Sequence, residues 1–544
     1  MRNRHVLVTV VSCVLLIPLA GCHLIRPQAQ VGSAVPRAAP VAPETQAGPP
    51  LGPEAPPESW HAQDGIKIAS FLGGVHRRTY GRGPVPARLD VIWRYRIGTG
   101  ETGGPGGTRV QWSGTGWTGQ PTLVREGGRD YLLIGGYDHH LRRIDAQTGE
   151  EVWRYRFPDV IKGTNTVFAP PGSETDPAGY VVVAGSRRGV GLSLGASAIA
   201  PVRGVGFASG NELWRLPVPR TRSYSQDADA SPLYVDGRLY VAVESGYVYA
   251  LEPTGTVAWG EYASPVVVAR SPELYDARDI ASHGGNLVLE SSPVLLGDTI
   301  YVAAGSGHVY GLDRDDLSIV WDFFIGSDLD GTVVATADGY LLVAVEKQYI
   351  AGSGGVFKLD PRKEPSEAVV WYYPTMDRGI AEWEGGVIGS VAVNDDYDPE
   401  WRRPPIAAFN SVDGYLYIVS QDMIDGVTSG PNREPDIPQP RLIHRQQIGG
   451  AISTPIIVDD RVVVAGYDGK VRILSLDYEP FDVEAGASRG TLLQGRDGSW
   501  YDVTVEETAS FSGGGSFEST PIVWEGRVYI GSRDGFLYCL GELP

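Results

Sequence analysis

Short apolar runs, alternating or continuous over about four to six residues, recur along most of the chain and are broken by steps rich in Gly, Asp and Ser. One pattern repeats: a Ser/Thr-Pro step, a β run, a Gly/Asp turn, a second run, a polar turn, a third run, then a run carrying Trp. Its clearest copy is Glu290-Ser-Ser-Pro-Val-Leu-Leu-Gly-Asp-Thr-Ile-Tyr-Val-Ala-Ala-Gly-Ser-Gly-His-Val-Tyr-Gly-Leu-Asp313, closed by Ile319-Val320-Trp321. The turns have hairpin chemistry, so each copy predicts four antiparallel strands, the make-up of one propeller blade. Inner strands are expected near Pro121, Val167, Pro232, Pro293, Val333, Val391, Pro455 and Pro521. Outer strands are expected to carry Trp93, Trp153, Trp214, Trp259, Trp321 and Trp371, with Leu442-Ile443-His444 and the region of Trp500 in the same place. The turn before the third strand repeats as Gly136-Tyr-Asp-His139, Glu244-Ser-Gly-Tyr247, Gly305-Ser-Gly-His308, Ser411-Val-Asp-Gly414, Gly466-Tyr-Asp-Gly469 and Ser532-Arg-Asp-Gly535. The expected fold class is all-β, a single β-propeller of four-stranded blades. The count is eight, or seven if the second or sixth copy is degenerate.

The last copy stops after a third strand at residues 536–540, while Asp90-Val-Ile-Trp-Arg-Tyr-Arg96 reads as an outer strand with no blade before it. The two are expected to pair, closing the ring and removing its exposed sheet edges.

Ahead of the repeats, Arg2 and Arg4 precede an apolar stretch at residues 6–20, too short for a mature membrane span, which predicts an export signal. It ends in Leu19-Ala20-Gly21-Cys22, which resembles the bacterial lipobox, so Cys22 is the expected lipidation site and its acyl chains the membrane anchor. The alternative is an ordinary signal peptide with a chance cysteine. Residues 23–59 are rich in Pro, Ala and Gln and cannot bury a core, which predicts an extended tether. The expected organisation is a signal peptide at 1–21, a lipidated cysteine and tether at 22–59, and a propeller at 60–544. With Cys13 in the signal and Cys22 under lipid, Cys539 is left as a small buried hydrophobe and no internal disulfide forms. A net charge of −19 argues against nucleic acid or an anionic membrane face as partner.

The segment Leu141-Arg-Arg-Ile-Asp-Ala-Gln-Thr-Gly-Glu-Glu-Val-Trp153 resembles the signature of the pyrroloquinoline-quinone-like repeat, in which the Asp-Ala-x-Thr-Gly portion turns between third and fourth strands. Leu251-Glu-Pro-Thr-Gly-Thr-Val-Ala-Trp259 keeps part of it, and Ser70-Phe-Leu-Gly-Gly-Val-His-Arg-Arg-Thr-Tyr-Gly81 resembles the segment that precedes the first Trp strand in that superfamily. A lipobox, a propeller without other domains and a Ser/Thr-Pro inner strand together resemble the BamB family, propeller lipoproteins of the outer-membrane barrel-assembly machinery. That resemblance implies a non-catalytic scaffold that binds envelope proteins through its rim loops. His23 in place of Asp after the lipidated cysteine implies the outer membrane, facing the periplasm.

Quinoprotein dehydrogenases share the repeat and imply the competing class, an oxidoreductase holding the quinone over a Trp floor with Ca²⁺ bound by Glu, Asn and Asp. No Cys-Cys pair and no cofactor-binding motif accompanies the repeat here, so no cofactor is expected. One feature keeps Ca²⁺ or the quinone in view. The third residue before each inner-strand step is Thr118, Thr164, Asp229, Glu290, Asp330, Ile388, Ile452 or Glu518, which places Asp229, Glu290 and Asp330 at one level of successive blades and Glu518 across the ring. Oxygen-only ligands so arranged suit a hard cation; solvated residues in a water-filled channel are the alternative.

Elsewhere, Asp138-His139-His140 is expected as a turn with exposed imidazoles, and Asn394-Asp-Asp-Tyr-Asp-Pro-Glu400 as an acidic surface loop. Residues 185–210 are apolar and Gly-rich, and read either as a docking patch or as a blade's third strand. Enlarged loops are expected at 263–285, 421–439 and 478–512. No phosphate loop, nucleophile elbow or zinc-protease helix is present in the sequence.

Overall fold

Proline cannot donate to a β ladder and is tolerated at the first residue of a strand. Pro121, Pro232, Pro293, Pro455 and Pro521 each stand immediately before an inner strand: Thr122–Glu126, Leu233–Val235, Val294–Leu296, Ile456–Val458 and Ile522–Trp524. Thr166–Phe168, Val334–Ala335 and Ala392–Val393 supply the other three. A computed structural model describes residues 64–104, 107–189, 198–379, 383–398, 400–482 and 488–543. In it, eight sheets follow one another along the chain as the blades of a ring, antiparallel except where Gly81–Arg82 runs parallel to Ile522–Trp524. The hairpin Thr99–Gly103 with Arg109–Ser113 stands outside them.

The eighth blade is closed as the sequence predicts. Asp90–Arg96 pairs antiparallel with Phe536–Gly541, Asp90 opposite Gly541 and Arg96 opposite Phe536. The outer-strand tryptophans bind blade to blade: Trp93, Trp153, Trp321 and Trp371 donate their indole N–H groups to Ala146, Phe207, Lys363 and Gln421 carbonyls of the following blade, at 2.7 to 3.1 Å.

The hydroxyl that recurs at the Ser/Thr-Pro step has its own task. The amides of Ser231, Ser292, Thr332, Ser390 and Thr454 donate in turn to the side-chain oxygens of Ser292, Thr332, Ser390, Thr454 and Thr520, at 2.9 to 3.3 Å. This belt runs from blade 3 to blade 8 around the axis and satisfies buried amides that no ladder reaches.

Residues 69–82 cross the ring at its centre. Their hydrogen bonds reach Gln120 in blade 1, Val167 in blade 2, Ser231 in blade 3, Leu295 in blade 4, Ala335 in blade 5, Val393 in blade 6 and Val523 in blade 8. Arg77, fully buried, donates to the carbonyls of Phe71, Ser231, Pro232 and Pro293 and to Ser70 Oγ. The stretch expected as an acidic surface loop clamps this strap. Asp396 accepts from Arg78 and Thr79, Tyr397 donates to the Gly81 carbonyl, and Asp395 is buried against Arg496 and Gln421. These carboxylates are buried because cations and hydroxyls of distant segments come to them.

Three further expectations are corrected. Trp259 ends a long third strand, Tyr247–Trp259, and the outer strand of blade 3 is Tyr262–Arg270. In blade 1, Asp145 makes the expected turn by accepting the amides of Gln147 and Thr148. Glu252 holds that place in blade 3, its longer side chain does not close the turn, and the chain stays extended to Gly260. The regions expected as loops at 421–439 and 478–512 are largely hairpin extensions, Tyr415–Thr428 with Ile437–Gln447, and Lys470–Pro480 with Trp500–Ser512. His139 is buried, with Nε2 2.7 Å from the Glu101 carbonyl oxygen, rather than exposed. Of residues 185–210, Ala198–Gly206 forms the third strand of blade 2 and 190–197 lie outside the described residues.

Candidate functional site

The chain reaches the axis just before each inner strand, and blades 3 to 5 bring acidic side chains there. Asp229, Glu290 and Asp330 occupy the level the sequence assigns them, and each is nearly or wholly buried. They are therefore closed off from bulk solvent. They fall into two groups, each with carboxylate oxygens within 4.8 Å of one another: Asp229, Glu244 and Glu290, and Asp328, Asp330 and Glu346.

Glu244, Asp328, Glu346 and Lys162 are the participants that reading one repeat position overlooks. Glu244 and Glu346 directly follow second strands, Arg238–Val243 and Leu341–Val345, where the exits of other blades carry Gly185, Gly466 or Ser532. Asp328 and Lys162 each stand two residues before the aligned position, Asp330 and Thr164. A carboxylate at a strand exit otherwise made of Gly, Ala or Ser is the signal that finds the first pair.

Lys162 enters the first group. Its Nζ makes an ion pair with Asp229 Oδ2, lies 3.7 Å from Glu290 Oε1 and 5.1 Å from the centre of the Trp117 ring. Burial opposes its charge, but the surrounding carboxylates hold its pKa well above the usual lysine range. Burial pushes Glu290 up to about 7, with Lys162 pulling it down and Asp229 and Asp328 adding to the rise. Burial and the neighbouring carboxylates likewise raise Glu244 and Asp330 well above the carboxylate range. Asp328 is pushed up to about 6 by burial, against a hydrogen bond from Asn286. Buried like charges resist joint ionisation, so such a cluster holds protons or recruits cations.

Glu518 does not join them. It is held 2.7 Å from Arg533 Nη1, a guanidinium that also lies over the Tyr137 ring. The remaining arc of the axis is apolar: Ile388, Val412 and Ile452 pack with Trp117, Trp383 and Tyr467.

The quinone of the dehydrogenases is a tricarboxylate, and these residues do not fit it. It would meet six buried carboxyl groups against the single ammonium of Lys162, and the nearby guanidiniums of Arg187 and Arg533 are already bound to Asp227 and Glu518. A divalent cation in one group would still leave the wall acidic.

The architecture is that of an eight-bladed β-propeller. Residues 200–379 match the family described as outer membrane protein assembly factor BamB. No curated protein matches the chain by sequence. Among solved structures, quinohemoprotein alcohol dehydrogenase from Comamonas testosteroni aligns with a TM-score of 0.51 at 13% identity, covering 88% of this chain and 81% of that one. A europium-containing methanol dehydrogenase gives 0.50 at 11%, covering 88% and 98%. BamB from Moraxella catarrhalis gives 0.46 at 13%, covering 84% and 100%. At these identities the likeness is one of fold.

Proposed function

We propose that this protein is a non-catalytic propeller scaffold, anchored by acylated Cys22 on the periplasmic face of the outer membrane, that holds envelope proteins through its rim. The observation that carries this reading is the set of hairpins that outrun their blades. Near their tips stand Val257 and Val427, 55% and 60% exposed, with Val267, Val268 and Ile424 also open to solvent. Apolar side chains displayed on projecting strands gain free energy when a protein partner covers them. The BamB-type match, residues 200–379, includes the hairpin of blade 3. The misfit of the axial wall to an anionic quinone supports the same reading against a dehydrogenase.

Photo-crosslinking tests it. A photoreactive residue at Val257 or Val427 of the full chain is expected to capture an envelope protein in intact cells, and one at the exposed turn residue Asp298 is not. Recovery of no envelope protein from either hairpin would remove the scaffold reading and leave the fold untouched.

A further inference from the structure

We propose that the groove between the outer strands of blades 7 and 8 is a docking slot for an indole side chain carried next to a carboxylate on a partner protein. The proposal rests on the scaffold reading and names the chemistry of one contact within it.

The ring itself shows what such a slot takes. A β-bulge interrupts every outer strand, and the residue just after it faces the following blade. Trp93, Trp153, Trp214, Trp321 and Trp371 hold that place in blades 8, 1, 2, 4 and 5. Four of these indoles donate to a carbonyl of the next blade. Ala269 and His444 hold the place in blades 3 and 6, and Ala509, opposite Ile473, holds it in blade 7. An alanine there leaves most of an indole's volume unfilled.

At blade 7 a cavity accompanies the loss. It measures about 550 Å³ and is lined by Val91, Arg94, Phe511, Asp534, Phe536 and Tyr538, among others. That volume falls within the range of ligand sites, about 300–1,000 Å³. Phe511 stands two residues from Ala509 on the same strand face. The Tyr538 ring centre is 5.3 Å from that of Phe511 and 6.2 Å from that of Phe536, so an entering ring meets aromatic walls at pairing distances.

The groove also has a cation to spare. Arg94 is exposed, its guanidinium lies 4.7 Å from the Phe536 ring centre, and among the described residues no Asp or Glu is at ion-pair distance from it. Arg96, also exposed, follows two residues on along the same strand face. The acid of the groove, Asp534, is already engaged. It accepts from the Tyr538 hydroxyl at 2.6 Å and from the amides of Gly514 and Phe536 at 3.0 and 3.1 Å. On a chain of net charge −19, a local cation without an acid fits a carboxylate brought by the partner.

The test uses the purified full chain and N-acetyl-5-fluorotryptophan, an indole bearing a carboxylate, followed by fluorine NMR. The probe is expected to bind saturably at one site per chain. Ala509→Trp fills the slot from within and is expected to weaken binding at least about tenfold. Arg94→Gln is expected to weaken it by about fivefold at most, the worth of an exposed ion pair, and to leave binding of the neutral N-acetyl-5-fluorotryptophan amide unchanged. Melting curves check that each variant folds. Should Ala509→Trp not fold, Phe536→Leu, which keeps apolar bulk and removes the ring, is expected to weaken both probes. No binding at millimolar probe, equal binding of acid and amide, or binding that Ala509→Trp and Phe536→Leu leave intact would each overturn the assignment. Crosslinking at Val257 and Val427, on blades 3 and 6, is independent of these outcomes, so the slot can fail while the scaffold reading stands.

Discussion

The ammonium of Lys162 stands in ion-pair contact with Asp229, a carboxylate with no exposed surface. A lysine contributed from the approach to blade 2 thus neutralises an acid from blade 3, and the pair joins the two blades at the axis. Removing one partner of a buried pair leaves the other charge uncompensated, at a cost of about 3–5 kcal/mol. Lys162→Met is therefore expected to lower unfolding stability by about that amount, and Asp229→Asn in the same chain to restore part of it. Urea denaturation measures both. A Lys162→Met protein as stable as the parent would show that protonation of the group, and not Lys162, holds the axis.

The hydroxyl belt is tested at Thr332, whose Oγ1 accepts the buried Ser292 amide at 3.0 Å. Thr332→Val keeps the shape and removes the acceptor, so an amide is left unsatisfied at a cost of about 1–3 kcal/mol. Thr332→Ser keeps the oxygen and is expected to lose less. Equal losses in the two variants, read from chemical denaturation, would assign the effect to packing alone.

His308 gives the protein a pH dependence of known sign. Burial works against its charge, but the hydrogen bonds it donates to Asp279 and Asp322 outweigh burial and push its pKa up to about 9. In the unfolded chain it titrates near 6.5, so its stabilisation is complete below about pH 6.5 and is lost as pH rises through about 9, worth roughly 3 kcal/mol at most. Melting curves taken across that range should show the decline, and His308→Gln should flatten it. A decline of unchanged size in His308→Gln would place the titrating group elsewhere.

Much of the ring is legible in the repeat, because the features that recur do the same work in each blade. Proline marks strand starts by its missing N–H, and Trp93, Trp153, Trp321 and Trp371 mark outer strands because their indoles bridge to the next blade. Trp259 misleads where Glu252 replaces the turn-forming Asp145 of blade 1, a substitution of one methylene that changes which segment is the edge. At the axis, the periodic position picks out Asp229, Glu290 and Asp330. It does not pick out Glu244 and Glu346, which come from a different strand end, or reveal that Glu518 is claimed by Arg533. The clamp on the strap is illegible for a related reason. Asp395 and Asp396 read as surface acids, since their partners Arg496 and Arg78 lie 101 and 318 residues away along the chain. Local pattern carries the strands, and charge pairing across the ring does not appear in local pattern.

Ala87 and Glu542, 455 residues apart, meet at the seam of the ring, and such a seam is weak under tension because its strands can be peeled apart. The strap changes where tension goes. A pull on the chain ahead of Asp64 first strips Gly65–Ile68 from blade 1 and then bears on Arg77, whose guanidinium grips carbonyls of blades 3 and 4 at the centre. The strand that closes the seam, Asp90–Arg96, lies beyond that grip. Tension entering ahead of Asp64 therefore meets the hub of the ring before its edge.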